Sequence, residues 1–245
     1  MRRSSIGASA GVRHEMSGVI ASSGFESGDR VVVGHWWRSP VGAFTDVMWC
    51  EPDGVRVLFA PDDAVARFVT SVYRFDRLEV VPFETWSGPR QLVVRAGDRE
   101  VRFEGRHGLR LPFRRPPGFT RWVEGPIGRA VFGVRTYGVS PTGVEEWYRS
   151  VAWRPLRHAS ATIGGMDVGS PGPIDPPTRF GFSEPPRHPS MVHLSPMLRD
   201  PSGRLDLVVA GLEQRHALHA STVPPGRVRA LASRARGAAR RPSRG

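Results

Sequence analysis

Residues 29–60 read DRVVVGHWWRSPVGAFTDVMWCEPDGVRVLFA, and this stretch decides which fold the sequence predicts. Its apolar residues alternate with other residues from Asp29 onward, which is the pattern of half-buried β-strands. Two interruptions, at residues 39–42 and 51–54, combine proline and glycine as tight turns do. The stretch therefore predicts three consecutive strands joined by turns, with the second strand running from Ala43 to Cys50.

One helix is predicted immediately after these strands, near residues 62–73. Its apolar residues recur at the spacing of one helical face, and they are Val65, Phe68, Val69 and Val72. Period-two segments then continue along the chain to a last predicted strand at residues 204–212. We therefore expect a mainly β fold, a single antiparallel β-barrel or sandwich of about ten strands. We favour the barrel because closure removes exposed strand edges.

The two ends of the chain differ from the middle in composition. Residues 1–27 are interpreted as a disordered extension, residues 28–212 as an all-β domain, and residues 213–245 as a basic, disordered tail. Residues 225–245 hold seven arginines and no acidic residue, out of a formal net charge of +12 for the chain. The body is thus only mildly basic, and the tail lacks interleaved aromatic residues, so a nucleic-acid partner is not expected.

The composition excludes several classes of chemistry. All 35 residues counted as lysine plus arginine are arginines, so Schiff-base lysines, P-loop lysines and pyridoxal-phosphate anchors are excluded. The single cysteine, Cys50, cannot form an intramolecular disulfide or a cysteine-based zinc site, which fits a reducing cytoplasm. No run of about eighteen apolar residues occurs, so no membrane span is expected. We expect neither a cofactor nor a metal site.

A polar cluster is predicted on the hairpin that turns at residues 140–143. In the register that pairs Val139 with Val144, four polar side chains lie on one side of the sheet, and they are Arg135, Tyr137, Glu146 and Tyr148. One interpretation is a solvent-facing salt bridge beside amphipathic tyrosines. The other is an interior site, where a carboxylate with arginine and phenol partners binds or polarises a ligand. A change of register by one residue would separate these side chains.

His35 and Asp46 are a second pair of candidates, on the two strands that flank the turn at residues 39–42. Both lie among apolar and aromatic neighbours, where a carboxylate is costly unless it faces water or has a partner. We expect the two side chains to approach each other diagonally across adjacent strands. Such a pair acts as a general base in enzymes, and elsewhere it is a satisfied buried hydrogen bond.

Several short segments resemble a group of uncharacterised proteins from high-GC bacteria, over roughly residues 28–198. They are Gly28–Trp36, Phe44–Trp49, Gly143–Tyr148 and Phe180–Ser183. Gly42–Asp46 is also similar to the Gly-Pro-Tyr-x-Glu segment of the acetoacetate decarboxylase-like β-barrels. That second resemblance implies a barrel, but those decarboxylases act through a Schiff-base lysine, which this chain lacks.

Three functions are compatible with these patterns. The leading hypothesis is a cytoplasmic β-barrel that binds a small, partly apolar molecule, with polar anchors drawn from Arg135, Tyr137, Glu146 and Tyr148, or from His35 and Asp46. The second is a lysine-independent barrel enzyme that uses Asp46 or Glu146 as an acid or a base. The third is an interaction protein whose arginine tail contacts nucleic acid or an acidic partner.

Overall fold

The computed structural model describes residues 11–110 and 137–212. Of the described residues, those up to residue 209 belong to one compact unit, and residues 210–212 are assigned to a second. The described residues are mainly β, which confirms the predicted fold class. They form a strongly curled sheet whose main path has ten strands, together with a small second sheet.

The described residues contain seventeen strands and two helices. In chain order they are β1 (Arg13–Glu15), β2 (Ser17–Phe25), β3 (Arg30–Arg38), β4 (Phe44–Cys50), β5 (Arg56–Ala60), α1 (Asp63–Val72), β6 (Arg77–Val80), β7 (Phe83–Ser87), β8 (Gln91–Ala96), β9 (Arg99–Gly105), β10 (Leu109–Arg110), β11 (Tyr137–Val139), β12 (Glu145–Trp147), β13 (Ser150–Ile163), β14 (Met166–Asp167), β15 (Pro171–Gly172), β16 (Ser190–Leu194), β17 (Met197–Arg199) and α2 (204–212).

The large sheet has the strand order β6-β5-β4-β3-β2-β16-β13-β9-β8-β7. Three short strands pair with members of this series: β10 and β14 pair with β13, and β15 pairs with β2. The small sheet has the order β1-β17-β12-β11. One pair departs from the predicted antiparallel arrangement: β5 and β6 are parallel, because α1 connects them as a crossover.

The two faces of the large sheet bury different apolar clusters. The concave cluster joins both arms of the curled sheet, with Trp49 and Phe59 on one arm and Phe103 on the other. The convex cluster joins the opposite face to α1 and to the small sheet, through residues such as Phe68 and Leu198. Because side chains alternate along a strand, neighbouring residues of β3 and β4 belong to different clusters.

The helix α1 lies where the sequence predicts a helix, near residues 62–73. Asp62 caps its N-terminus, because Oδ1 of Asp62 accepts a hydrogen bond of 2.9 Å from the backbone N–H of Val65. The four apolar residues that define the predicted face are all buried, and they are Val65, Phe68, Val69 and Val72. The prediction of this helix is confirmed.

Residues 204–212 form α2, so the strand predicted there is wrong. The carboxylate of Asp200 accepts hydrogen bonds from the backbone N–H groups of Ser202 (2.8 Å) and Leu205 (3.0 Å). The bond to Leu205 satisfies an amide group that a helix leaves unpaired at its start, and the bond to Ser202 holds the turn before the helix. Leu205 and Val209, four residues apart, are both buried. Residues 201–203 therefore form a turn that leads into a helix rather than into a strand.

The N-terminal part of the described chain is also more ordered than predicted. Residues 13–25 form β1 and β2, so the interpretation of residues 1–27 as a disordered extension is wrong for this part. Small side chains obscure the strand pattern of β2, yet they permit close packing: a Cβ on Gly24 would lie 2.1 Å from the carbonyl oxygen of Pro173. Residues 1–10 and the predicted tail, residues 213–245, lie outside the described residues.

Candidate functional site

The hairpin of β11 and β12 has a register one residue away from the predicted one. Val139 pairs with Glu145 rather than with Val144. The cause is Gly143, which adopts a φ of +93° and adds one residue to the connection, as a glycine bulge does. The backbone N–H of Ser140 then donates to the carbonyl of Val144 at 2.7 Å, which closes the loop.

This register places Tyr137 on the opposite side of the hairpin from Glu146, so the predicted cluster of four side chains is wrong as a set. Tyr137 pairs instead with Trp147, and their ring centroids are 5.1 Å apart. The guanidinium of Arg199 lies 5.8 Å from the centre of the Trp147 ring. Arg135, the fourth predicted member, lies outside the described residues.

Glu146 is completely buried, on the side of the hairpin that faces the convex cluster. The hydroxyl of Tyr73 donates a hydrogen bond of 2.9 Å to Oε2 of Glu146, and a further hydrogen bond joins the hydroxyls of Tyr73 and Tyr148. Oε1 of Glu146 is buried and has no hydrogen-bond partner in the described part of the chain. The structure thus brings Glu146 and Tyr148 together and adds a tyrosine from the end of α1.

Burial determines the protonation states of Glu146, Tyr73 and Tyr148. It raises the pKa of Glu146 to about 8, although the hydrogen bonds from the tyrosines act in the opposite direction. It also raises the pKa of Tyr73 and Tyr148 well above the usual range, and the charge of Glu146 adds to that effect. At pH 7 Glu146 is therefore mainly a neutral carboxylic acid. Because Oε2 accepts from Tyr73, the acidic proton belongs on Oε1, the oxygen without a partner.

Asp46 is a second buried carboxyl group, on β4, and its strand neighbours Phe44 and Met48 belong to the convex cluster. The indole Nε1 of Trp36 donates to Oδ1 of Asp46 at 3.1 Å, whereas the buried Oδ2 has no partner among the described residues. Burial raises the pKa of Asp46 to about 7. Burial is the main cause of the raised pKa of Tyr148, and the charge of Asp46 makes a smaller contribution, so the two side chains are electrostatically coupled.

The space that Asp46 occupies depends on Gly34, its partner across β3 and β4. A Cβ on Gly34 would lie 2.5 Å from Oδ1 of Asp46 and 2.6 Å from Nε1 of Trp36. Any side chain at this position would therefore collide with the hydrogen bond between them.

His35 lies on the opposite face of the sheet from Asp46, so the predicted diagonal contact between the two side chains is wrong. His35 pairs with Thr45, one position before Asp46, and the alternation of side chains along a strand separates the two faces. A hydrogen bond of 2.9 Å joins Nδ1 of His35 to the hydroxyl of Thr45, which also accepts from the hydroxyl of Thr85 at 3.1 Å. Burial lowers the pKa of His35.

An aromatic segment, residues 180–182, packs on the tyrosines beside Glu146. The ring of Phe182 stacks on Tyr148 with a centroid distance of 5.6 Å. Gly181 lies against the ring of Tyr73, where a Cβ would be 2.6 Å from the nearest ring atom. The sequence indicates this segment only through a resemblance, without placing it at the site.

Tyr73 is the site residue that sequence reasoning missed. It is the C-terminal cap of α1, and its backbone N–H donates to the carbonyl of Val69 at 2.9 Å. Tyr73 lies four residues after Val69 and eight after Val65, so it continues the buried face of the helix. That spacing was a usable signal for a phenol directed toward the core.

We call Asp46, Glu146, Tyr73 and Tyr148 the acid cluster. Two carboxylic acids that face one aromatic core can each donate a hydrogen bond to an acceptor. Their pKa values, near 7 and 8, also allow them to exchange protons close to neutral pH. The described residues contain no group of three or more His, Cys, Asp or Glu side chains arranged to hold a metal ion. None of the described helices has the length and apolar character needed to cross a membrane.

Comparisons of this chain with protein-family models, with curated proteins and with solved structures found no match. The two family resemblances suggested by the sequence therefore stay predictions. Function has to be argued from the geometry of the acid cluster.

Proposed function

We propose that this protein binds a small, partly apolar molecule at the acid cluster, through a carbonyl or similar hydrogen-bond acceptor on that molecule. One observation carries the proposal. Oε1 of Glu146 and Oδ2 of Asp46 are both buried without a hydrogen-bond partner in the described residues. Leaving such an atom unpaired costs about 1–3 kcal/mol, so a native core that holds two of them favours a partner from outside the chain.

The protonation of the two acids indicates the chemistry of the ligand. A carboxylic acid that burial keeps neutral offers an O–H donor, and its best partner is an uncharged acceptor such as a ketone or amide oxygen. An anionic ligand would instead add a negative charge beside groups that already avoid ionisation. The surrounding side chains are aromatic, Trp36 and Phe182 among them, which suits an apolar body around the polar atom.

The neutral ketone dye Prodan is a suitable probe, because its emission reports both an apolar environment and a hydrogen bond to its carbonyl. We expect saturable binding at pH 7 that weakens as the pH rises past about 8, where Glu146 ionises. Glu146→Gln keeps a donor and removes one of the two titrating acids, so its affinity should fall less over that pH range than the affinity of the parent. Glu146→Met removes the donor and should weaken binding about tenfold.

The matched control is Glu145→Gln, on the same strand but on the opposite side, where Glu145 forms an ion pair with Arg199. This variant should keep the affinity and the pH dependence of the parent protein. Dye that fails to saturate, or that binds the Glu146→Met variant as tightly as the parent, would contradict the proposal.

Acid–base catalysis is a second candidate function, favoured by the two different pKa values, about 7 for Asp46 and about 8 for Glu146. In this scheme the Asp46 carboxylate removes the α-proton of a ketone while Glu146 gives its proton to the carbonyl oxygen, and an enol forms. Reversal with solvent deuterons would exchange the α-protons of β-tetralone in D2O, which proton NMR measures. Exchange that is no faster than in the Asp46→Asn variant would exclude this candidate.

We infer a cytoplasmic location from the chemistry of Cys50. It is the single cysteine of the chain, and its thiol is buried and free, which suits a reducing compartment. The hypothesis of an interaction through the arginine tail concerns residues 213–245, outside the described residues, and stays a prediction.

A further inference from the structure

A second polar group lies on the concave face of the large sheet, away from the acid cluster. His193 on β16 pairs with Val19 on β2, and Val19 pairs with His35 on β3, so the two histidines lie in one row across three strands. Paired residues point to the same face of a sheet, and Val19 belongs to the concave cluster. Both histidine rings are therefore directed to the concave side.

Two further side chains complete this group. The ring of Trp37 lies 6.1 Å from the ring of His193 and 6.5 Å from that of His35, and about half of Trp37 is exposed to solvent (52%). Arg154 is two residues along β13 from Ala152, the partner of His193, and thus lies diagonally across from that histidine. We call His35, Trp37, Arg154 and His193 the basic cluster.

Two nitrogen atoms of the basic cluster have no partner among residues 11–110 and 137–212. Nε2 of His193 and Nη1 of Arg154 are buried and have no hydrogen-bond partner in the described residues. The stem of Arg154 is held in place by two glycines: a Cβ on Gly105 would lie 3.2 Å from its Cδ, and a Cβ on Gly108 would lie 2.4 Å from its Cγ. The guanidinium is therefore positioned by packing, and no carboxylate among the described residues forms an ion pair with it.

The electrostatics of this group are opposite to those of the acid cluster. Burial lowers the pKa of His193, and the positive charge of Arg154 lowers it further. A fixed guanidinium and an imidazole that avoids a positive charge would both be stabilised by an anion between them. An oxyanion accepts hydrogen bonds from both kinds of nitrogen.

We propose that the basic cluster is a binding site for an oxyanion group, a carboxylate or a phosphate, held by Arg154 and His193 with Trp37 at its exposed side. The site is independent of the acid cluster, because it lies on the other face of the large sheet and selects an anion rather than an uncharged molecule.

The test uses two probes, benzoate and inorganic phosphate, with nitrogen NMR of the histidine side chains at constant pH. We expect the Nε2 signal of His193 to shift in a saturable way, while the exposed His158 of β13 does not respond. A response to benzoate alone identifies a carboxylate with an aromatic body, a response to phosphate alone identifies a phosphate, and a response to both identifies a general oxyanion site. No saturable shift of His193 with either probe would overturn the proposal.

Two matched arginine variants on the same strand sharpen this test. Arg154→Gln should weaken the binding of the active probe at least about tenfold in calorimetry, because it removes a charge-assisted hydrogen bond. Arg157→Gln removes an arginine whose side chain is 72% exposed, and binding should stay within about twofold of the parent. Equal losses in both variants would indicate general charge attraction and reject the site. If Arg154→Gln does not fold, His193→Gln serves in its place, and unchanged binding in that variant would also reject the site.

Discussion

The acid cluster and the basic cluster lie on opposite sides of the large sheet, and they come closest along the pair β3 and β4. On β3 and β4, the pair Gly34 and Asp46 faces the convex side, and the adjacent pair His35 and Thr45 faces the concave side. The convex side encloses its carboxyl groups completely and raises their pKa values to about 7 and about 8. The concave side leaves its histidines half-buried beside an exposed tryptophan.

This difference shows how burial, rather than residue type, assigns a chemical role to a polar side chain. Complete burial converts two acids into hydrogen-bond donors and makes them sensitive to pH near neutrality. Partial burial leaves the histidines accessible to a charged ligand. The three predictions below vary one face at a time and run from the largest expected effect to the smallest.

The largest expected effect is on the pH dependence of stability. The pKa of Glu146 is raised to about 8 in the folded protein from an ordinary value of 4.5, so the folded state holds a proton that the unfolded chain releases. The stability that this proton provides is fully present below about pH 4.5 and is lost as the pH rises to about 8. We measure the free energy of unfolding in urea at pH 5.5 and at pH 8.5. Between these two pH values the parent should lose on the order of 3 kcal/mol more of this free energy than Glu146→Gln loses.

The control for this measurement is Glu104→Gln, at a partly exposed glutamate on β9 whose ion-pair contact with Arg157 is 3.8 Å long. This variant should lose as much free energy of unfolding between pH 5.5 and 8.5 as the parent does. If Glu146→Gln loses as much stability as the parent, Glu146 ionises normally and the acid cluster does not hold its proton.

A smaller effect is expected from filling the space beside Asp46. Gly34→Ala places a methyl group 2.5 Å from Oδ1 of Asp46 and should lower the free energy of unfolding by about 2 kcal/mol, because the hydrogen bond from Trp36 must move. Gly172→Ala is the matched control, since a Cβ there meets nothing within 4 Å. Equal stabilities of the two variants in thermal and urea unfolding would show that the Asp46 site is loosely packed.

The smallest effect is expected on the concave face. Thr45→Val leaves Nδ1 of His35 and the hydroxyl of Thr85 without their shared partner, which should cost about 1 kcal/mol of unfolding free energy. Thr45 precedes Asp46 directly but faces the other way, so the pH dependence between 5.5 and 8.5 should match that of the parent. A changed pH dependence in this variant would show that the two faces are coupled.

The local patterns of the sequence predict the parts of the fold that depend on local interactions. The helix α1 follows from one apolar stripe and an aspartate cap, and the strand period from Arg30 to Ala60 predicts β3, β4 and β5. The predictions were wrong where one local pattern is compatible with more than one type of secondary structure. The apolar run at residues 204–212 suits a strand as well as a helix, and the small residues of β2 suit a disordered segment as well as a packed strand.

The sequence by itself determined that Glu146, Tyr148, His35 and Asp46 are candidates, because each is a polar residue within an apolar strand pattern. Only the tertiary structure decided which of them meet. The bulge at Gly143 places Tyr137 and Glu146 on opposite sides of their hairpin. The register of β3 with β4 places His35 and Asp46 on opposite faces of the large sheet. Tyr73, at the end of a helix 73 residues earlier in the chain, donates a hydrogen bond to Glu146. The physical reason is that side-chain direction reverses with every residue of a strand, so an error of one position exchanges the two faces.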